Sequence, residues 1–182
     1  MAKKDRTYAI VLTFSEDIEN VLSKMRRDFQ RYIDHFIVPH ITLVYPFTPV
    51  FSMYQIYDEL GKVAKRTSPF DITLKGIKYF DNGNNVAYAA IKNRQPVKKL
   101  HTDIVKSLDG YIKETETDGK FNLDNYIPHV TIGSHIPDKV FKNIKLRFSK
   151  YKLYFEDEIT FINLFVENKG VWERTRVFEM AG

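Results

Sequence analysis

Apolar and polar positions along this chain change period several times, and each change predicts an element. Thr7 to Phe14 (TYAIVLTF) is a β-branched and aromatic run that reads as a strand, and Ser15-Glu16-Asp17 after it reads as a helix start. From there Ile18, Val21, Leu22, Met25, Phe29, Tyr32, Ile33 and Phe36 recur at three-and-four spacing, which predicts one buried face on a long helix whose polar face carries Lys24, Arg26, Arg27 and Arg31. Val38 to Tyr45 (VPHITLVY) predicts a strand stopped by Pro46. A second helix is expected from Ser52, with Met53, Ile56, Tyr57, Leu60, Val63 and Ala64 inward, closed at Ser68-Pro69 because a residue before proline avoids the helical region. Phe70, Ile72 and Leu74 alternate with Asp71, Thr73 and Lys75 as a half-buried strand. Asp81-Asn82-Gly83-Asn84 then turns the chain into a strand from Val86 to Ile91.

The second half repeats that order. Pro96 at a helix start leads to Val97, Leu100, Ile104, Leu108, Tyr111 and Ile112 on one face, with a turn at Asp118-Gly119. Tyr126 to Ser134 (YIPHVTIGS) predicts a strand, Asp138 through Phe148 a helix, and two strands follow around Ile159–Val166 and Val171–Phe178. Asn93-Arg94-Gln95 is too short for a flexible linker. The expectation is a single bilobal α+β domain over residues 1–182, with repeats at about 7–80 and 86–179, mixed or antiparallel sheets, and helices outside.

Composition narrows the chemistry. The 182 residues carry 28 Lys and Arg against 23 Asp and Glu, a net charge of +5, which favours an anionic ligand. There is no cysteine, which removes thiolate catalysis, disulfide scaffolds and cysteine-based metal centres. No signal-like stretch or long apolar run is seen, so the reading is a soluble, cytoplasmic protein without a membrane partner, and a monomer is expected. No G-x-G-x-x-G, Walker loop or G-x-S-x-G occurs.

The strongest signal is a duplicated pentapeptide, Pro39-His40-Ile41-Thr42-Leu43 and Pro128-His129-Val130-Thr131-Ile132, at corresponding places in the two halves. Residues two apart in a strand share a face, so His40 with Thr42, and His129 with Thr131, point away from the core side taken by the aliphatic residues. Two lobes related by an approximate two-fold would aim both pairs at one cleft. Phosphoryl transfer has attacking and leaving oxygens roughly in line across phosphorus, so it uses a base on one side and an acid on the other. Imidazole titrates near neutrality and suits both roles, while threonine hydroxyls can donate to the non-bridging oxygens. No metal or cofactor is needed for that scheme. A lone histidine beside a β-branched run is more often structural; the repetition of Pro, His and Thr together is what points to function.

The two His-x-Thr motifs resemble those of the 2H phosphoesterase superfamily, also called the 2′,5′ RNA ligase family. That resemblance spans essentially the whole chain. It implies a duplicated α+β fold and metal-independent attack on 2′,3′-cyclic, 2′,5′-linked or related nucleotide or RNA-end phosphodiesters. It also implies His40 and His129 as the acid/base pair and Thr42 and Thr131 as phosphate-holding residues, with the assignment of base and acid left open. Many bacterial members carry an Arg three residues after the second motif's Thr; here that position is Ser134, followed by His135. Tyr45-Pro46-Phe47 resembles a branch of small family members.

Other features remain open. Tyr45, Phe47 and Tyr126 flank the motifs and are candidates to stack on a base. Lys139, Lys142, Lys145, Arg147, Lys150 and Lys152 interleave with Phe141, Phe148, Tyr151 and Tyr154, which suits either an RNA-binding surface or, with better spacing, an amphipathic helix with buried aromatics. Arg174 and Arg176 on the last strand could reach phosphate or lie on a solvated edge. His135 lacks metal-motif spacing, His101 reads as packed or partly exposed, and His35 as a helix C-terminal contact. The competing reading is a non-catalytic RNA- or nucleotide-binding protein that retains the fold.

Overall fold

The computed structural model describes residues 6–27, 32, 37–81, 83–115 and 125–182. The described residues form nine strands and four helices: β1 (Tyr8–Leu12), α1 (Glu16–Arg27), β2 (Ile41–Pro49), α2 (Met53–Lys65), β3 (Phe70–Phe80), β4 (Val86–Ile91), α3 (Gln95–Ser107), β5 (Ile112–Glu114), β6 (His129–Gly133), α4 (Asp138–Phe148), β7 (Tyr154–Ile159), β8 (Phe161–Asn168) and β9 (Val171–Glu179). Two antiparallel sheets result, one in the order β5-β2-β1-β8-β9 and one in the order β6-β4-β3-β7. The α+β class and the duplicated, two-sheet plan are as expected. The sheets do not divide at the midpoint of the chain, however. β3, from the first repeat, pairs with β4 and joins the second sheet, while β8 returns to pair with β1 in the first.

Each sheet turns one face to a shared apolar core. Ile10, Leu12, Ile41, Leu43 and Val44 of the first sheet and Ile72, Leu74, Ala89, Ile91, Val130 and Ile132 of the second are buried there with the inward faces of all four helices. The helical spacing read from the sequence appears as buried Ile18, Leu22 and Met25 on α1, Ile56, Leu60 and Val63 on α2, and Val97, Leu100 and Ile104 on α3. α2 starts where Ser52 predicts: its hydroxyl accepts from the Tyr54 N–H at 3.2 Å, and the Gln55 side chain accepts from the Ser52 N–H at 3.3 Å. Ser52→Ala is expected to cost about 1 kcal/mol in a urea titration; a loss below a few tenths would show that packing alone positions this helix.

Several expectations change. Pro46 does not end β2, which continues to Pro49: the strand bulges against β1 at this point, and the Pro46 carbonyl accepts from both the backbone N–H and the hydroxyl of Thr115. α3 ends at Ser107, and Gly110 at φ 75° turns the chain so that Ile112 starts β5 and not another helical turn. Arg26, expected on the solvated face of α1, is buried, and its guanidinium donates to the Ile37 carbonyl at 2.7 Å. The expected continuation of the first helix through Phe29, Arg31, Ile33, His35 and Phe36, and the turn at Asp118-Gly119, lie outside the described residues. Among the described residues no helix is long and apolar enough to cross a membrane.

The β8–β9 connection is a two-residue turn, Lys169 and Gly170, at φ 53° and 85°, which suits the twist of an antiparallel hairpin. Further along β9 the register slips, since Leu164 faces Arg176 but Phe165 faces Arg174. That bulge separates residues that strict alternation would place on one face. Trp172 joins Ala9, Val11 and Phe165 on one side, while Arg176 lies over the Tyr57 ring of α2 at 4.4 Å and Phe178 enters the main core on the other.

Candidate active site

The two motifs occupy related positions. β2 and β6 each lead their sheet's motif onto the same seam, where β2 packs against β6. The outer edge of β2 pairs with β5 only from Phe47 to Pro49, so the motif end of β2 is left without a strand neighbour on that side. Side chains fill the gap. The Tyr126 hydroxyl, three residues before His129, donates to the Thr42 carbonyl at 2.7 Å. His101 of α3 places its Nδ1 at 2.7 Å from the carbonyl of Leu43, the residue displaced by a β-bulge opposite β1. The two rings stack on each other, with centroids 3.8 Å apart and planes 18° from parallel. This brace ties the lead-in to the second motif directly to the first.

The two motif histidines have the same local setting. His40 Nδ1 is 2.8 Å from the Val38 carbonyl, and His129 Nδ1 is 2.7 Å from the Ile127 carbonyl. A carbonyl only accepts, so in each ring Nδ1 carries the hydrogen and the neutral imidazole holds its lone pair at Nε2. Repetition of an identical contact two residues upstream fixes tautomer and ring orientation twice. Thr42 and Thr131 follow at the next same-face positions, half-buried, with Val11 and Tyr88 as their cross-strand partners.

His129 also has an aromatic collar that the sequence does not reveal. The Phe80 ring meets it edge-on at 5.1 Å and the Tyr88 ring at 5.2 Å, and Phe80 and Tyr88 stack at 4.3 Å. Both come from the β3–β4 hairpin, so only knowledge of the register Tyr88↔Thr131 would have pointed to them. Loss of water around the ring pushes the His129 pKa below its ordinary 6.5, and the hydrogen bond to Ile127 opposes that in part. Burial likewise raises the Tyr88 hydroxyl, with Arg94 opposing.

Other residues singled out from the sequence are placed differently. Phe47 is fully buried beside Tyr8, so it is a core residue and offers no face to a ligand. Tyr126 is buried with its ring on His101 and its hydroxyl committed, so it is a prop for β2 and not an exposed stacking surface. Tyr45 stays half-buried, and burial first and Tyr45 second push the Tyr126 hydroxyl above its ordinary pKa. Ser134 donates its N–H to the Tyr32 carbonyl at 2.6 Å and its hydroxyl to the same oxygen at 3.3 Å, which fixes the end of β6 against Tyr32. On α4, Phe141 and Phe148 are buried and Lys145 pairs with Asp81 at 2.6 Å, the amphipathic arrangement. His135 is exposed at φ 53°, and among the described residues no three His, Asp or Glu side chains converge as metal ligands would.

His101 is 1% exposed, and its Nε2 is buried without a partner. Desolvation lowers its pKa from 6.5, outweighing the bond to Leu43. With the folded-state pKa values of His101 and His129 both below 6.5, the unfolded chain takes up protons first as pH falls. Stability that is fully present above about pH 6.5 is therefore lost as pH drops through that value towards the lower folded-state pKa values. A series of Tm values from pH 7.5 to 5 should show this fall, and His101→Asn, which keeps a donor to Leu43 but cannot titrate, should flatten it. An unchanged slope in the variant would mean that His101 takes no part.

The paired motifs on matched strands coincide with a match of residues 14–170 to the 2'-5' RNA ligase superfamily. The chain belongs to this superfamily. Similar proteins include one from Geobacillus thermodenitrificans (strain NG80-2) named "Putative phosphoesterase", 27% identical over 179 residues and 96% of each chain. A protein of Geobacillus kaustophilus (strain HTA426) with the same descriptive name is 25% identical over 179 residues, again covering 96% of each. Among solved structures, TT0787 of Thermus thermophilus has a TM-score of 0.68 at 16% identity over 97% of this chain and 98% of its own. E. coli LigT complexed with 3'-AMP has a TM-score of 0.67 at 12% identity, over 98% and 100%. The fold of these solved structures is thus shared over nearly the whole chain.

Proposed function

We propose that this protein is a phosphodiesterase that opens 2′,3′-cyclic or 2′,5′-linked nucleotide phosphodiesters by acid/base catalysis from His40 and His129 without a metal. The observation that carries this reading is the repeated imidazole setting, with Nδ1 held by a carbonyl two residues upstream at 2.8 and 2.7 Å. It leaves the two Nε2 atoms as the proton-handling positions. Membership in the superfamily, relatives named as phosphoesterases and the fold likeness to LigT structures with 3'-AMP and with ATP support a nucleotide phosphate as ligand.

In this scheme His129 is the base for hydrolysis. Its lowered pKa keeps the ring neutral near pH 7, ready to take a proton from water as the water oxygen bonds to phosphorus. The bond from phosphorus to the departing ribose oxygen breaks, and His40 supplies that oxygen with a proton. The product is a phosphomonoester, and the two rings exchange protons with solvent to reset. Thr42 and Thr131 donate to the non-bridging oxygens, where charge is held. Protein treated with EDTA should turn over 2′,3′-cyclic nucleotides or 2′,5′-linked dinucleotides, with a bell-shaped pH profile whose acid limb falls below pH 6.5. Absence of turnover on both substrate classes, or its loss with chelator, would overturn the reading.

A further inference from the structure

We propose that Lys78 forms an anion subsite for a phosphate flanking the reacting one, so that the preferred substrate is the end of a nucleotide chain and not a mononucleotide. The inference rests on the phosphodiesterase reading above. Register places the residue: Lys78 pairs with Tyr88 across β3–β4, and Tyr88 pairs with Thr131 across β4–β6. Directly opposed residues of antiparallel strands share a face, so Lys78, Tyr88 and Thr131 form one row on the face that carries His129. Ring contacts agree with that row, since Tyr88 and Phe80, two residues beyond Lys78, both meet the His129 imidazole.

Lys78 is exposed, and among the described residues its side chain has no ion pair or hydrogen bond. β7 begins at Tyr154 opposite Lys75, so at Lys78 the sheet has no further strand and no carboxylate in the row to neutralise the amine. The acids of β7 face the far end of β3, where Glu156 pairs with Thr73 and Glu158 with Asp71. The nearby carboxylate of Asp81 is taken by Lys145. Two strand spacings put the Lys78 backbone about 10 Å from that of Thr131, and the lysine stem shortens this reach. Between them lies the Phe80–Tyr88 stack, with Phe80 half-exposed. A phosphate at His129 and Thr131, a nucleoside over Phe80 and the next phosphate at Lys78 would fill the row. A single-stranded chain is bound by such a combination of aromatic platform and cation.

The test compares a 2′,3′-cyclic mononucleotide with a short oligonucleotide ending in a 2′,3′-cyclic phosphate. Lys78→Ala is expected to raise the ratio of oligonucleotide KM to mononucleotide KM about tenfold, Lys78→Arg to restore most of it, and Lys169→Ala at the hairpin tip to leave it unchanged. An unchanged ratio in Lys78→Ala overturns the subsite. Should the unmodified protein turn over neither compound, the phosphodiesterase reading fails, and binding of an unreactive single-stranded oligonucleotide decides the subsite separately. Its log–log salt slope should then fall by about 0.7 in Lys78→Ala; equal slopes overturn it.

Discussion

Replacing His129 by alanine is expected to lower kcat about 10³-fold, and His40→Ala about equally, with KM moved much less than kcat. The size follows from the 10²–10⁴-fold that a positioned acid or base contributes. The double variant should be little worse than either single one, because a base without its acid partner, or the reverse, already forfeits the concerted proton movement. In the proposed mechanism Thr42→Ala and Thr131→Ala each remove one donor to the phosphate and should cost less. Steady-state kinetics with circular dichroism as a folding control decide the point. If both single variants keep turnover within a few-fold of the unmodified protein, the two histidines are not the proton carriers. The fold should survive, since both rings are only half-buried and each bonds a carbonyl just two residues away.

A second large effect is expected where no chemistry occurs. His101→Ala should destabilise the protein by about 3 kcal/mol, because it opens a cavity under α3 and leaves the Leu43 carbonyl unpaired at an edge that no strand covers. Tyr126→Phe keeps the ring but removes the donor to Thr42, and should cost about 1–2 kcal/mol. The two rings stack, so the double variant should lose less than the sum of the single ones. Urea titrations with unchanged m-values measure this. A His101→Ala loss under 1 kcal/mol would show that water or a neighbouring donor satisfies Leu43. If Thr42 holds the phosphate as proposed, Tyr126→Phe should also lower kcat more than it raises KM, since the hydroxyl bonds the Thr42 carbonyl.

The elements legible in the sequence are those with a single strong period. α2 and α4 begin and end where the pattern places them, because each carries one apolar stripe and a clear stop. β7 is not legible because Glu156, Asp157 and Glu158 erase alternation on an edge strand that needs only Phe155 and Ile159 against the core. β5 is three residues long and follows a helical-looking run. The same limit applies at the site. The His and Thr pairs are local and repeat, so they can be read directly. Phe80, Tyr88 and Lys78 become neighbours of the second motif only through the β3–β4–β6 register, which no local pattern encodes. Phe47 and Tyr126 mislead because an aromatic residue beside a motif looks the same whether it faces a ligand or the core.

The crossing of β3 into the second sheet, matched by the return of β8 to the first, bears on how the chain acquires its shape. The first repeat lends its last strand, β3, to the second sheet, and the second repeat lends β5, β8 and β9 to the first. Neither repeat closes its sheet alone. Emerging from the ribosome, the first sheet waits with β1 half-paired until residues near 166 arrive, and this long sequence separation makes for slow folding. The two His-x-Thr strands are therefore brought to their seam only when the whole chain is present, so a truncated product has neither half of the site in working order.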